Sequence, residues 1–413
     1  DIQMIVRYMP YEQKATYTTD NEDLKKVISL CLDTIKYGTQ EVFVDCPTRE
    51  KMAWTNDFMA SAEQLMLNFD SKKLIEKYQQ DIFDAMLNDG SLPGIIPCAG
   101  WWYRWDIGPI GDGILYELPY RIYLHTGDDS LLKKSLPFFE KHFKYIDSKK
   151  DDKGLTHYGL GDWSPPAPAF YDGIDANEVP LINAVFEHYF YKIASIADAE
   201  KYLPKVNQTK KFVIDNFIDA SGKCSINKQC SVSMLIDFGL FEDINPLKNQ
   251  LKTLVEENDF HLSCGMVGIR RLFHALNKCG LYEYAYKVLT VDGHPGYKYW
   301  FDKGATTLFE RWEPDQLHSS HNHQMFSDFM SWMIKTLAGI SNNCENGLSY
   351  NLDPVFISDI DYVDCSYNSF KGKISVNWER VGSEIHLTVE KDDAVPLYYK
   401  GALLKENKKT FVI

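Results

Sequence analysis

Between residues 21 and 340 the apolar side chains recur at helical spacing in about a dozen successive stretches, and nothing else constrains the fold as strongly. The periodicity predicts helices over 21–37, 54–69, 71–88, 111–126, 129–147, 176–197, 205–217, 226–239, 244–257, 264–279, 281–290 and 321–339. In the first of these, Leu24, Val27, Ile28, Cys31 and Leu32 share a face behind a polar Asp20-Asn21 start. Loops containing Gly or Pro separate most of them, such as Asp89–Gly94 and Ser164–Pro168. No fixed-period repeat is visible, which disfavours a stacked solenoid. So many helices in one block suit a closed double ring.

The two ends read differently. Residues 1–20 are extended in character, with alternation over Ile2–Tyr8 and then Pro10. A lone strand is unstable, so it needs a partner, and a domain upstream is one candidate. Residues 351–413 hold short alternating runs. Lys373–Trp378, a turn at Val381–Ser383 and Glu384–Val389 predict a hairpin. The expected organisation is an extended segment at 1–20, a helical domain at 21–340 and a small antiparallel β domain at 341–413. The chain opens on Asp1 with no visible signal segment, so 1–20 is expected to be the end of a longer protein. Cytoplasmic, periplasmic and secreted addresses all stay open, as does the oligomeric state. No run approaches the ~18 apolar residues a bilayer-spanning helix needs.

Charge narrows the partners. With 44 basic and 58 acidic residues the net charge is −14, a field that repels nucleic acid and favours a neutral substrate. No basic amphipathic run suggests a membrane surface. The nine cysteines fall at irregular spacing without a CxxC pair, so no metal site or cofactor is expected from spacing. Cys224 and Cys230 could close a loop, but buried free thiols are the simpler reading.

Three loop segments carry the chemistry. Asp45-Cys-Pro-Thr-Arg-Glu50, running on to Asp57, packs Asp45, Arg49, Glu50 and Asp57 around one proline turn ahead of a helix near Trp54. A helix-capping acidic turn would look the same. Gly161-Asp-Trp163 sets an acid beside an indole, a pair that grips a sugar through hydroxyls and C–H faces, though surface turns share it. The run Trp101–Trp105 adds three tryptophans, as further stacking surface or as a buried plug. In Gly304–Trp312, Glu310 and Arg311 sit between Leu308-Phe309 and Trp312, a setting that tunes a carboxylate or merely forms an internal salt bridge. His321 and His323 follow at the head of the last predicted helix. Two residues apart, they would not share a helical face, which favours hydrogen bonding over metal ligation.

Glu50 and Glu310, each beside an arginine, with Asp45, Asp57, Asp112 and Asp162 and a set of tryptophans, form the inventory that glycoside hydrolysis requires. One carboxyl protonates the leaving oxygen and the other activates water. No Gly-x-Ser-x-Gly elbow, Walker loop or GxGxxG supports other chemistries.

These motifs resemble glycoside hydrolase family 78, the bacterial α-L-rhamnosidases. Asp45-Cys-Pro-Thr-Arg-Glu50 with Trp54-Thr-Asn-Asp57, then Gly111-Asp-Gly113, Gly161-Asp-Trp163, and Gly304–Trp312 with Ser320-His-Asn-His323, occur in the family's order. The resemblance covers about residues 21–340, and the tail resembles the family's C-terminal β domain. It implies an (α/α)6 barrel and an inverting mechanism, with Glu50 as general acid and Glu310 as general base. It further implies that Asp45, Arg49, Asp57 and His323 bind rhamnose hydroxyls and that Trp54 and Trp163 line the pocket. Asp112 and Trp312, inside matched motifs, complete the candidate substrate-binding set. The implied partner is a rhamnose-containing oligosaccharide, polysaccharide or glycoside. The chain departs from the family's usual residues at Ile110, Gln324 and Met52-Ala53, which bears on sugar and aglycone preference. The same fold acting on another sugar, or a glycan-binding relative without activity, remain the alternatives.

Overall fold

A computed structural model describes residues 3, 9–98, 100, 106–166, 175–313, 315, 319–345 and 347–413. Its helices are α1 (Glu22–Gly38), α2 (Thr55–Asn68), α3 (Lys72–Ala85), α4 (Pro109–Asp112), α5 (Ile114–Thr126), α6 (Ser130–Ser148) and α7 (Val179–Ala197). They continue as α8 (Ala199–Phe217), α9 (Gln229–Asp237), α10 (Asn245–Glu257), α11 (Met266–Lys278), α12 (Tyr282–Thr290), α13 (Tyr297–Asp302) and α14 (Phe329–Trp332).

Burial divides the helices into two rings. All 14 residues of α2 are buried, whereas α1 buries essentially the stripe through Leu24, Val27, Ile28, Cys31 and Ile35. A helix covered on every side must lie inside, and one with a single apolar face must lie outside. Helices α2, α5, α7, α9, α11 and α14 contact one another in sequence, and α14 returns to α2 to close the inner ring. Helices α3, α6, α8, α10 and α12 each pack on inner neighbours. The closed double ring expected from periodicity is the observed architecture.

Inside the ring, buried charges tie the helices together. Fully buried Glu117 on α5 accepts Arg121 Nε at 2.6 Å, Tyr189 Oη at 2.9 Å and a contact from Arg270 on α11. Arg121 also reaches Glu63 on α2 at 2.6 Å. Burial alone would raise the Glu117 carboxyl, but Arg121 and Arg270 override it and bring it down to about 2.

The last predicted helix is shorter than its periodicity suggests. Residues 319–328 are irregular, and helix begins only at Phe329, continuing as a π-helical turn over Met333–Leu337. Backbone pairing explains this. Glu310 N donates to Ser320 O at 2.9 Å and His323 N to Leu308 O at 2.8 Å, so the 320–323 segment is held extended against 308–310. Helix α13 was not anticipated, and the 111–126 stretch breaks at Gly113 into α4 and α5.

Among the described residues nine strands form two sheets. β1 (Ala15–Thr19) joins β4 (Tyr362–Ser369), β5 (Gly372–Val381), β6 (Glu384–Lys391) and β9 (Lys408–Val412) in a sheet of order β1-β4-β5-β6-β9. β2 (Ile340–Asn343), β3 (Ser349–Leu352), β7 (Leu397–Tyr399) and β8 (Ala402–Leu403) form the second sheet. The predicted hairpin is β5–β6, with Val381 opposite Glu384 and Gly382 at φ 64° in the turn. The β region is antiparallel except for the β3–β7 pair. The extended N-terminal segment finds its partner within the chain, as β1 pairs with β4. The alternation at 2–8 lies almost wholly outside the described residues. Fully buried Trp378 on β5 donates its indole N–H to Leu337 O at 2.9 Å, joining the sheet to the end of the last helical turn.

Candidate active site

Each candidate residue brought together sits in a connection leading from an outer helix to the N-terminal end of an inner one, or, for Asp57, in the first turn of that inner helix. The Asp45–Trp54 loop feeds α2, the Gly161–Ser164 loop precedes α7, and the Glu310 and His323 segments precede α14. A closed ring therefore gathers at one rim residues that are far apart in sequence.

Arg49 is the centre of the arrangement. Its Nη1 lies 3.1 Å from Glu50 Oε1 and its Nη2 2.6 Å from Glu310 Oε2. Glu50 Oε2 also accepts the Trp54 indole N–H at 2.8 Å, which orients the carboxylate from the last residue before α2. Glu310 Oε2 accepts a second hydrogen bond, from Ser320 N at 2.7 Å, so both of these bonds fall on one oxygen. With a planar guanidinium between them, the two bridged oxygens stand no more than about 8 Å apart.

Beneath this pair lies a buried acid–imidazole group. Asp57 Oδ1, in the first turn of α2, is 2.7 Å from His323 Nε2. Burial would lower the imidazole, but the Asp57 charge overrides it and His323 is raised well above its ordinary value. Asp45 Oδ1 accepts Met52 N at 2.8 Å, and its Oδ2 accepts the Cys46 thiol at 2.9 Å. Burial pushes the Asp45 carboxyl up to about 6 against the opposing pull of His323. Asp45, Cys46 and His323 place one donor atom each within 4.8 Å of the others. Chain spacing does not reveal this cluster, because His323 arrives from the far side of the ring. Gln324, next to His323, is fully buried; its amide donates to Val44 O, and its own carbonyl accepts Ser61 Oγ at 3.0 Å.

The Gly161–Ser164 loop reaches the same rim. Ser164 Oγ donates to Glu310 O at 3.3 Å, and half-buried Trp163 precedes it. Asp162 has a different task from the one its neighbour suggests. It accepts Gly265 N at 2.7 Å, Val267 N at 3.0 Å and Gly268 N at 2.9 Å, satisfying the open N–H groups at the start of α11. A Cβ on Gly265 would stand 2.1 Å from Trp163 O, so only glycine allows this close approach. Lys51 and Ser164 both adopt left-handed backbone, at φ 58° and 61°, and both flank the glutamates.

Two further residues of the sequence-derived set lie elsewhere. Trp312 is 1% exposed and packs against Trp300 at 4.4 Å and Phe326 at 4.9 Å, so it is buried among core rings rather than open to a sugar. Trp300 is itself in α13 and fully buried. Asp112, at the end of α4, is buried and directed at His142 Nε2 on α6, 3.4 Å away, a structural pair between neighbouring helices. The tryptophans of 101–105 lie outside the described residues. Cys224 and Cys230 are buried thiols with no bridge between them. A cavity of about 740 Å³ bordered by Glu63, Arg121, Lys192, Asp237, Arg271 and Lys335 is separate from the glutamate pair.

A double ring of six helical hairpins with a carboxylate pair at one rim defines the six-hairpin glycosidase class. Residues 12–337 match the family described as the bacterial alpha-L-rhamnosidase 6 hairpin glycosidase domain, and the chain belongs to that family. An alpha-L-rhamnosidase of Streptomyces avermitilis is 24% identical over 403 residues, covering 91% of this chain and 38% of the relative. One from Formosa agariphila is 26% identical over 413 residues, covering 92% of this chain and 43% of the relative. The chain thus spans about two fifths of the length of these curated relatives. Among solved structures, the Streptomyces avermitilis alpha-L-rhamnosidase complexed with L-rhamnose superposes with a TM-score of 0.87 at 22% identity, covering 95% of this chain and 39% of that one. The alpha-L-rhamnosidase of Aspergillus terreus gives 0.88 at 20% identity, covering 98% and 51%. Among the described residues no helix is long and apolar enough to cross a membrane.

Proposed function

We propose that this chain carries the catalytic centre of an inverting α-L-rhamnosidase, releasing terminal rhamnose from a glycan or glycoside. The observation that carries the reading is the single guanidinium of Arg49 bound to both Glu50 and Glu310, within the 12–337 stretch that matches the family. Glu50 acts as general acid: its proton passes to the glycosidic oxygen as the bond from that oxygen to the anomeric carbon breaks. Glu310 acts as general base, taking a proton from the water that attacks the opposite face of that carbon. The shorter Arg49 contact falls on Glu310, whose role needs a carboxylate, and Glu310 Oε1 is left to orient the water. The bridge holds the two contacted oxygens within about 8 Å. That bound admits the roughly 6.5–9.5 Å separation of an inverting pair and the shorter one of a retaining pair alike, so inversion rests on the family resemblance and on the anomer test below. Asp45, Asp57 and His323 supply the charged hydrogen-bonding floor for sugar hydroxyls, and Trp54 and Trp163 the aromatic walls.

The reading is tested with Glu50→Gln and Glu310→Gln on an aryl α-L-rhamnoside, with the released anomer followed by NMR. Each variant should lose about 10²–10⁴-fold in turnover, and the first product should be the β anomer. Near-normal rates in both variants, or release of the α anomer, would overturn it.

A further inference from the structure

We propose that Asp45, Cys46 and His323 form a binding site for a thiophilic divalent cation of the zinc type. The three side chains are 2%, 0% and 5% exposed, and their donor atoms lie within 4.8 Å of one another. Thiolate, imidazole and carboxylate are the donors zinc takes, and three protein ligands leave one tetrahedral position open, the form of an exchangeable site.

Each donor is already held by a second group. Cys46 Sγ accepts Glu50 N at 3.4 Å, which would stabilise a thiolate. Asp45 Oδ1 is fixed by Met52 N, leaving Oδ2 on the Cys46 side. His323 Nε2 is held by Asp57, while among the described residues its buried Nδ1 has no geometrically well-formed hydrogen bond, and the Cys46 side chain lies close enough to act on the imidazole. An imidazole that gives one nitrogen to a carboxylate and offers the other is the usual second-sphere geometry of a metal-bound histidine. Binding releases the Cys46 thiol proton and one imidazolium proton to solvent, so the bound ligands are thiolate and neutral imidazole.

A second acid–histidine cluster shows why charge selects this one. Glu63, His274 and Asp328 also lie within 4.8 Å, but Arg121 and Lys335 neutralise Glu63, and Arg270 approaches Asp328 at 3.8 Å. Cations already occupy that field. At the rim cluster the compensating charge on Asp45 comes from His323, itself one of the donors, and the Arg49 guanidinium, which lies near enough to act on Cys46, is already paired with Glu50 and Glu310. The consequence for activity rests on the proposed function: Asp45 and His323 are assigned to the sugar, so the metal would inhibit by competing with it.

Titration with Co²⁺ at neutral pH reads the site directly through thiolate-to-cobalt charge-transfer absorption. The band should saturate near about one equivalent, fall when Zn²⁺ is added, persist in Cys344→Ser and vanish in Cys46→Ser. His323→Gln should weaken Co²⁺ binding at least about tenfold. A band that survives Cys46→Ser, or none in the native chain, overturns the proposal. Should Cys46→Ser lose its helical circular dichroism, Asp45→Asn decides instead: unchanged Co²⁺ affinity refutes the site, and about tenfold weaker binding supports it. Adding L-rhamnose separates the two readings. Displacement of Co²⁺ supports a shared pocket. A rhamnose-insensitive band leaves the metal site standing and removes the sugar assignment of Asp45 and His323.

Discussion

Arg49 and Glu310, far apart in sequence, meet at 2.6 Å, and the same guanidinium reaches Glu50 at 3.1 Å. One planar cation therefore sets the relative position of both candidate catalytic carboxylates, and the fork geometry that allows this is special to arginine.

Arg49→Lys keeps the charge but offers a single ammonium on a flexible stem. It should hold one glutamate at a time, and kcat on an aryl α-L-rhamnoside should fall by about 10–100-fold, with a smaller change in KM. Steady-state kinetics checks this, and an unchanged kcat would show that the bridge does not position the pair.

Trp163 and Trp312 should separate cleanly. Trp163→Ala, at the rim, is expected to raise KM with little loss of stability. Trp312→Ala removes a buried ring packed against Trp300 and Phe326 and should cost about 3–5 kcal/mol in denaturant unfolding. The opposite pattern would return Trp312 to the sugar pocket.

Asp162 holds three N–H groups at the start of α11. Asp162→Ala should destabilise the chain by about 2 kcal/mol, while Asp162→Asn, which keeps an acceptor oxygen, should recover part of that. Urea denaturation of the two variants measures the difference, and equal stability to the native chain would reject the capping role.

Acid sensitivity should trace in part to His125. Buried between α5 and β4, with Nδ1 3.3 Å from Tyr367 Oη, it is lowered from 6.5 to about 3 by burial first and then by the Lys14 charge. Glu63 opposes that shift, while Arg121 and Lys335 add to it. The unfolded chain binds this proton near pH 6.5 and the folded chain only near 3, so the contribution is complete above pH 6.5. It is lost as pH falls toward 3, with a ceiling on the order of 5 kcal/mol. His125→Gln should flatten the melting temperature against pH over that window; an identical slope in both proteins would contradict it.

The helical ring was legible because its signal is local. Helical spacing of apolar residues, such as Leu24, Val27, Ile28 and Cys31 in α1, is written in each stretch, whereas the full burial of α2, which carries Asn56, Asp57, Glu63 and Gln64, came only with closure of the ring. The shortened last helix was not legible. Residues 321–328 carry helical spacing, but backbone pairing of His323 with Leu308 is a long-range hydrogen bond that no window of the chain contains. Trp312 and Asp162 misled for a related reason: a tryptophan or a carboxylate in a loop looks alike whether it faces a ligand, a core or a helix end.

The residues themselves determined which chemistry is available: two glutamates beside arginines, acids and indoles in loops that lead into helices, and no elbow or phosphate loop. Only the closed ring decided which of them meet. Closure brings Arg49 between Glu50 and Glu310, turns Asp162 onto the α11 N–H groups, buries Trp312 and carries His323 to Asp45, Cys46 and Asp57. The physical reason is that covalent order limits contacts along the chain, whereas a closed double ring places distant loops at one rim and lets burial and hydrogen bonding choose among them.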